Sequence, residues 1–140
     1  MHYKKIDKKI ICEKYLEDDK ESVIPDYKVY CFNGIPKAIL VMHNRGYGIK
    51  SEFFDVNWNK LENTNKYKDV DYNTEKPKCL NDLIEYSRIL SHDFPFVRCD
   101  FYIVNGKVIF GELTFTPAGG LFVSQTLIDG KNMADYLLIK

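Results

Sequence analysis

The stretch 96-FVRCDFYIVNGKVIFGELTF-115 decides the fold. Asn105-Gly106 stands between two β-rich runs, the strongest short-range signal for a tight hairpin. On the first arm, Phe96–Val104, side chains alternate. Val97, Cys99, Phe101 and Ile103 point one way, and Arg98, Asp100 and Tyr102 the other. On the return arm, Lys107–Phe115, the same alternation puts Val108, Phe110, Glu112 and Thr114 on one face. A two-residue turn sets Val104 against Lys107. Counting outward, Asp100 then lies near Gly111 and Glu112 pairs with Cys99. A slip of one residue, or a bulge, would instead put Asp100 and Glu112 side by side.

Upstream, Tyr27–Phe32, Asn33-Gly34 and Ile35–Met42 repeat the pattern and predict another antiparallel hairpin, with Pro36 near the start of its return strand. Ile10–Leu16 reads as a strand ending in an acidic turn, and Ser51–Val56 as a further strand after a turn at His43–Gly48. Residues 57–78 are rich in Asn, Lys, Asp and Tyr and predict a long surface loop, with Trp58 and Leu61 pinning its start. Cys79–Ser91 is an amphipathic helix. Leu80, Leu83, Ile84 and Leu90 form its apolar stripe, Ser87 and Arg88 its polar flank, and Pro77 and Pro95 bracket it. Thr116–Gly120 (TPAGG) reads as a tight loop and Asn132–Leu138 as a short terminal helix. These elements predict one α+β domain over residues 1–140: an antiparallel sheet with a few helices packed against it.

Composition narrows the function classes. Among 140 residues, 20 basic and 20 acidic side chains cancel, which argues against a strongly basic face for nucleic acid. A hydrophobic fraction of 45% supports a packed core and argues against disorder. No apolar run approaches the roughly 20 residues of a membrane span, and no signal-peptide pattern opens the chain, so a cytoplasmic protein is expected. The four cysteines form no CxxC pair, which argues against structural zinc. Cys12, Cys31 and Cys99 lie in apolar runs and are expected to be buried, reduced thiols.

Two carboxylates on adjacent strands, Asp100 and Glu112, beside Arg98, suit a magnesium site. Hard carboxylates a few ångströms apart can hold Mg²⁺ that bridges nucleotide phosphates, and an arginine can neutralise a transferring phosphoryl group. The alternative is a solvated sheet face with an ordinary Arg–Asp pair. The TPAGG turn can bring backbone N–H groups to an anion, or be a plain turn. His43 is expected to satisfy a turn, and His92 to sit at a helix C-terminus. Ser87 and Arg88 are placed to cap or brace the loop before the second hairpin.

The stretch 94-FPFVRCDFYIVNGKVIFGELTFTPAGG-120 resembles the metal-binding strand pair of ATP-grasp ligases, whose pattern is Arg-x-Asp-Phe, a hairpin, then Glu-x-Asn-x-x-Pro-Gly. More closely, IPDYKVYCFNGIPKAILV (24–41), WNKL (58–61), YSRILSHDFPFVRCDFY (86–102) and FGELTFTPAGG (110–120) resemble the TupA-like ATP-grasp family. The resemblance covers almost the whole chain. It implies the C-terminal lobe of the ATP-grasp fold, binding ATP and Mg²⁺. Asp100 and Glu112 match the family's metal carboxylates and Arg98 its phosphoryl-contacting arginine. Thr114 stands where many members have the metal-binding Asn, and a hydroxyl is a weaker magnesium ligand. Ile10–Leu16 resembles the strand beside the adenine, with Glu13 at an acidic position and Lys14 and Tyr15 near the base. Lys28 and Arg45 fall where charged side chains approach phosphate or acceptor; otherwise Glu13 and Lys28 form a cross-strand ion pair and Arg45 is a turn residue.

The activity implied is that of a carboxylate–amine ligase in bacterial cell-surface polysaccharide or teichuronopeptide synthesis, with a small-molecule or sugar-linked acceptor. The smaller lobe, with its nucleotide lysine, has no counterpart, so the resemblance implies a fragment, a truncated open reading frame, or half of a split protein with a partner chain supplying that lobe. A non-catalytic remnant or binding module is the alternative. Members of the family are often labelled glycosyltransferases, and Asp69-Val70-Asp71 superficially fits a DxD motif.

Overall fold

The computed structural model describes residues 7–19, 23–43, 48, 50–61, 73–120 and 127–137. Five strands and a helix form the body: β1 (Asp26–Phe32), β2 (Ile35–His43), β3 (Lys50–Phe54), α1 (Leu80–Ser91), β4 (Phe96–Val104) and β5 (Lys107–Thr114). The sheet order is β3-β2-β1-β4-β5, with every neighbouring pair antiparallel. The architecture is α+β. Both Asn-Gly turns form as expected. Asn33 and Gly34 have φ of 52° and 75°, and Asn105 and Gly106 have 49° and 76°, the left-handed pair that a twisted two-residue hairpin requires. Asp129-Gly130 closes a smaller hairpin, β6 (Leu127–Ile128) with β7 (Lys131–Asn132), by the same device. The terminal helix shortens to a 3-10 turn over Met133–Tyr136.

The sheet's two faces are covered differently. On one, α1 packs Leu80 and Leu83 against Val29, Cys31, Ile39, Val41, Val97, Cys99 and Phe101, all buried. Ser87 belongs to this buried face rather than the polar flank. It follows Leu80 and Leu83 at helical spacing and donates to the Leu83 carbonyl at 2.7 Å. On the other face, Tyr30, Phe32, Ala38, Leu40 and Phe53 pack with Ile128 and Met133. That cover sits over the Phe32 end of β1. The Asp26 end carries a charged surface.

The long loop is anchored at both described ends, with the Thr74 N–H donating to Glu52 at the far one. Trp58 stacks on Phe54 with ring centroids 4.2 Å apart, and Leu61 donates its N–H to the Phe53 carbonyl. Asp69-Val70-Asp71 lies outside the described residues. The expected strand at Ile10–Leu16 is absent. The segment joins no ladder, and Cys12 is exposed while Cys31, Cys79 and Cys99 are buried free thiols. Strand propensity is a preference for a half-buried pleated surface, and here no neighbouring strand supplies one. Among the described residues, no helix is long and apolar enough to cross a membrane.

Candidate functional site

The site begins with a break in the β4–β5 register. Phe101 pairs with Phe110, but Asp100 pairs with Glu112, leaving Gly111 as the extra residue of a β-bulge. The bulge shifts the alternation of β5 by one. Val108 and Phe110 face the α1 side, where Val108 packs against the core and Phe110 sets its ring edge-to-face with Phe101. Leu113 also joins that core, whereas Glu112 and Thr114 turn to the opposite face. The shared face expected for Val108, Phe110, Glu112 and Thr114 is therefore broken. Without the bulge, Glu112 would point into the core beside Cys99. Glycine suits the position because a Cβ at 111 would stand 3.0 Å from the Asp100 carbonyl oxygen.

Opposite Glu112, Asp100 is 4% exposed. Its Oδ2 accepts from Lys28 Nζ at 2.6 Å and Arg98 Nη2 at 2.7 Å, and its Oδ1 from Arg98 Nε at 2.6 Å. These charge-assisted bonds compensate a carboxylate withdrawn from water. β1 supplies Lys28 because the register sets it directly across from Asp100, just as Tyr30 lies across from Arg98 and Asp26 from Tyr102. Lys28 Nζ is also 3.9 Å from Asp26. Arg98 Nη2 donates to Thr114 Oγ1 at 3.0 Å and lies 3.6 Å from Glu112 Oε1. Thr114 in turn donates to Glu112 at 3.3 Å. Burial pushes the Tyr30 phenol up to about 12 against the opposing pull of Arg98, so a neutral hydroxyl underlies the guanidinium.

A cleft of about 500 Å³ opens over this face. Ile11 and Glu13 of the N-terminal segment form one wall, Asp26, Lys28, Asp100 and Tyr102 line the sheet side, and Gly111 and Glu112 complete it. The structure thus brings Glu13, Lys28, Asp100 and Glu112 to one cleft, with Arg98 and Thr114 beside them. Lys14 and Tyr15 are exposed and do not line it. Arg45 lies outside the described residues. Lys28 takes Asp100 and Asp26 as partners rather than Glu13. His43 ends β2 and meets Thr74, His92 caps α1, and Arg88 pairs with Glu85 within the helix. Asp26 and Tyr30 are the residues the sequence reading missed. The period-2 alternation of DYKVYCF already put both on the face of Lys28.

Among the described residues, no three His, Cys, Asp or Glu side chains gather into a metal cluster. The donor set still suits a magnesium ion carried by phosphates. A carboxylate offers about four lone-pair positions, and the bonds to Lys28 and Arg98 leave one on Asp100 Oδ1. Glu112, with its side chain 66% exposed, keeps most of its own. Magnesium takes one or two carboxylates and completes its octahedron with water and phosphate oxygens, so a complete protein cage is not required.

An α+β protein with a paired-acid, cation-clamped cleft on an antiparallel sheet is the class these features define. Residues 1–131 of the 140-residue chain match the TupA-like ATPgrasp family, and the chain belongs to it. No curated protein and no solved structure matches it.

Proposed function

We propose that the cleft is the metal- and ATP-phosphate-binding site of an ATP-grasp carboxylate–amine ligase, and that the chain forms one domain, the C-terminal lobe of that fold. The observation that carries this reading is the Gly111 bulge. It interrupts a regular ladder so that Glu112 leaves the core and stands opposite Asp100. Asp100 and Glu112 would hold Mg²⁺, with the Thr114 hydroxyl as a weaker third ligand. The ion, when bound, supplies charge neutralisation to the nucleotide phosphates. Arg98, oriented by Asp100 and Thr114, keeps a cation beside the carboxylates for a transferring phosphoryl group. Lys28 adds a second positive charge, and Glu13 presents the nucleotide side of the cleft. The family resemblance supports an acceptor carboxylate activated by ATP and an amine that attacks it, in cell-surface polymer synthesis.

A second reading, a non-catalytic binding module, draws on one observation. Asp100 is already neutralised by Lys28 and Arg98, as a structural ion pair would be. Calorimetric titration with ATP, with and without Mg²⁺, separates the two. The ligase reading expects magnesium-dependent binding that disappears in Asp100→Asn and Glu112→Gln while both variants keep native circular dichroism. No binding at millimolar ATP, or binding unchanged in both variants, overturns it.

A further inference from the structure

The N-terminal segment has the sequence of a strand but pairs with no strand among the described residues. Ile10, Ile11 and Tyr15 are 95%, 80% and 80% exposed. Its far end is tied down: Asp18 Oδ2 accepts from the Asn105 N–H at 2.7 Å, and the Asp19 N–H donates to Asn105 Oδ1. An exposed apolar segment of strand-like sequence, tied at one end and joined to no ladder among the described residues, is a template for another strand.

The charges say which strand. Lys8 and Lys9 open the segment, and Glu17 and Asp18 close it. Such a sequence complements itself when run antiparallel. We propose that residues 8–18 pair with the same residues of a second copy, about a two-fold axis at Glu13. A two-fold axis in an antiparallel ladder must be perpendicular to the sheet, which sets one residue opposite its own copy. An axis at Cys12 places Ile10 against Lys14 and Lys9 against Tyr15. An axis at Lys14 places Ile11 against Glu17 and Ile10 against Asp18. With the axis at Glu13, Ile10 meets Leu16, Ile11 meets Tyr15, Lys9 meets Glu17 and Lys8 meets Asp18. Of these three registers, that one matches apolar with apolar and base with acid at its four outer pairs, while Cys12 falls opposite Lys14. Its cost is the Glu13 pair at the axis, since like charges directly opposite repel. Because Ile11 lines the cleft, pairing also sets the partner's Tyr15 beside the cleft wall. The inference does not depend on the ligase reading.

Sedimentation equilibrium of the purified chain tests it. A reversible monomer–dimer equilibrium is expected. Lys9→Glu and Glu17→Lys should each raise the dissociation constant on the order of tenfold, because each change acts twice across the axis. An equimolar mixture of the two variants should recover the unmutated affinity as a heterodimer. Glu13→Gln should tighten association. Cys12, the exposed cysteine, lies diagonal to its own copy in this register, at about 7–8 Å. A short bis-maleimide should therefore link Cys12 to Cys12. A chain that stays monomeric up to millimolar concentration overturns the proposal. So does a dimer indifferent to both reversals, or a mixture that fails to recover.

Discussion

Two buried carboxylates, Asp100 on β4 and Glu52 on β3, make an instructive pair. Both are almost inaccessible, at 4% and 1% exposure. Glu52 lies on the α1 side, where it accepts from the Thr74 N–H and Lys60 Nζ, each at 3.1 Å, and from the Thr74 hydroxyl. Because Thr74 gives its one hydroxyl proton to Glu52, its oxygen accepts from His43 Nε2 at 2.8 Å, and Trp58 Nε1 donates to the Thr74 carbonyl. These bonds seal Glu52 and pin the chain just before α1. Among the described residues, Asp100 has only cationic donors, Lys28 and Arg98, and beside it stands Glu112, largely in water at an open cleft. Burial of an acid therefore does not mark a functional site. A second acid placed opposite, next to cations and solvent, is what sets the proposed Asp100 site apart from the Glu52 anchor.

Substitutions sharpen the contrast. Asp100→Ala should have the largest effect, about 3–5 kcal/mol in urea unfolding, because it removes the short bonds of two nearly buried cations and leaves them the longer contacts to Asp26 and Glu112. A loss comparable to that of an exposed ion pair would remove the distinction between the two centres. Glu52→Ala should cost about 2–3 kcal/mol by the same measurement, since Thr74 and Lys60 lose a buried acceptor, but magnesium–ATP binding should survive. Gly111→Ala should cost about 1–3 kcal/mol, because the added Cβ meets the Asp100 backbone, and should also weaken magnesium–ATP binding. Glu112→Gln should change stability by less than about 0.5 kcal/mol yet abolish that binding.

The Glu52 centre also makes a pH prediction. Burial alone would raise its carboxyl, but the Thr74 hydroxyl, Lys60 and the Thr74 N–H outweigh this and hold it below the usual range. A folded-state value below the unfolded one means the stabilisation is complete above the unfolded value. It is then lost as pH falls through the folded one. The difference in unfolding free energy between the native protein and Glu52→Gln should therefore be constant above about pH 4.5 and shrink below it. A difference that grows on acidification would overturn this assignment.

Much of the sheet was legible residue by residue. The Asn-Gly turns located both hairpins, and β4 runs over Phe96–Val104 as its alternation indicated. Asp129-Gly130 carries the same kind of signal for the smaller hairpin. Ser87 was misplaced because a serine on a buried helical face looks polar in sequence. Ile10–Leu16 failed for a different reason: a strand needs a neighbour, and propensity contains no information about one.

By itself, the sequence determined the turn positions, the helix and the identities of the charged residues, because turn chemistry and helical periodicity act over a few neighbouring residues. Only the tertiary structure decided that Asp100 faces Glu112 and that Lys28 reaches Asp100 rather than Glu13. The first depends on a one-residue phase shift at Gly111, which puts Phe110 on the α1 side and packs Leu113 into the core while releasing Glu112 from it. The second depends on pairing between β1 and β4, separated by 72 residues between Lys28 and Asp100. Both outcomes follow from packing across the sheet, a non-local balance that short-range sequence signals do not encode.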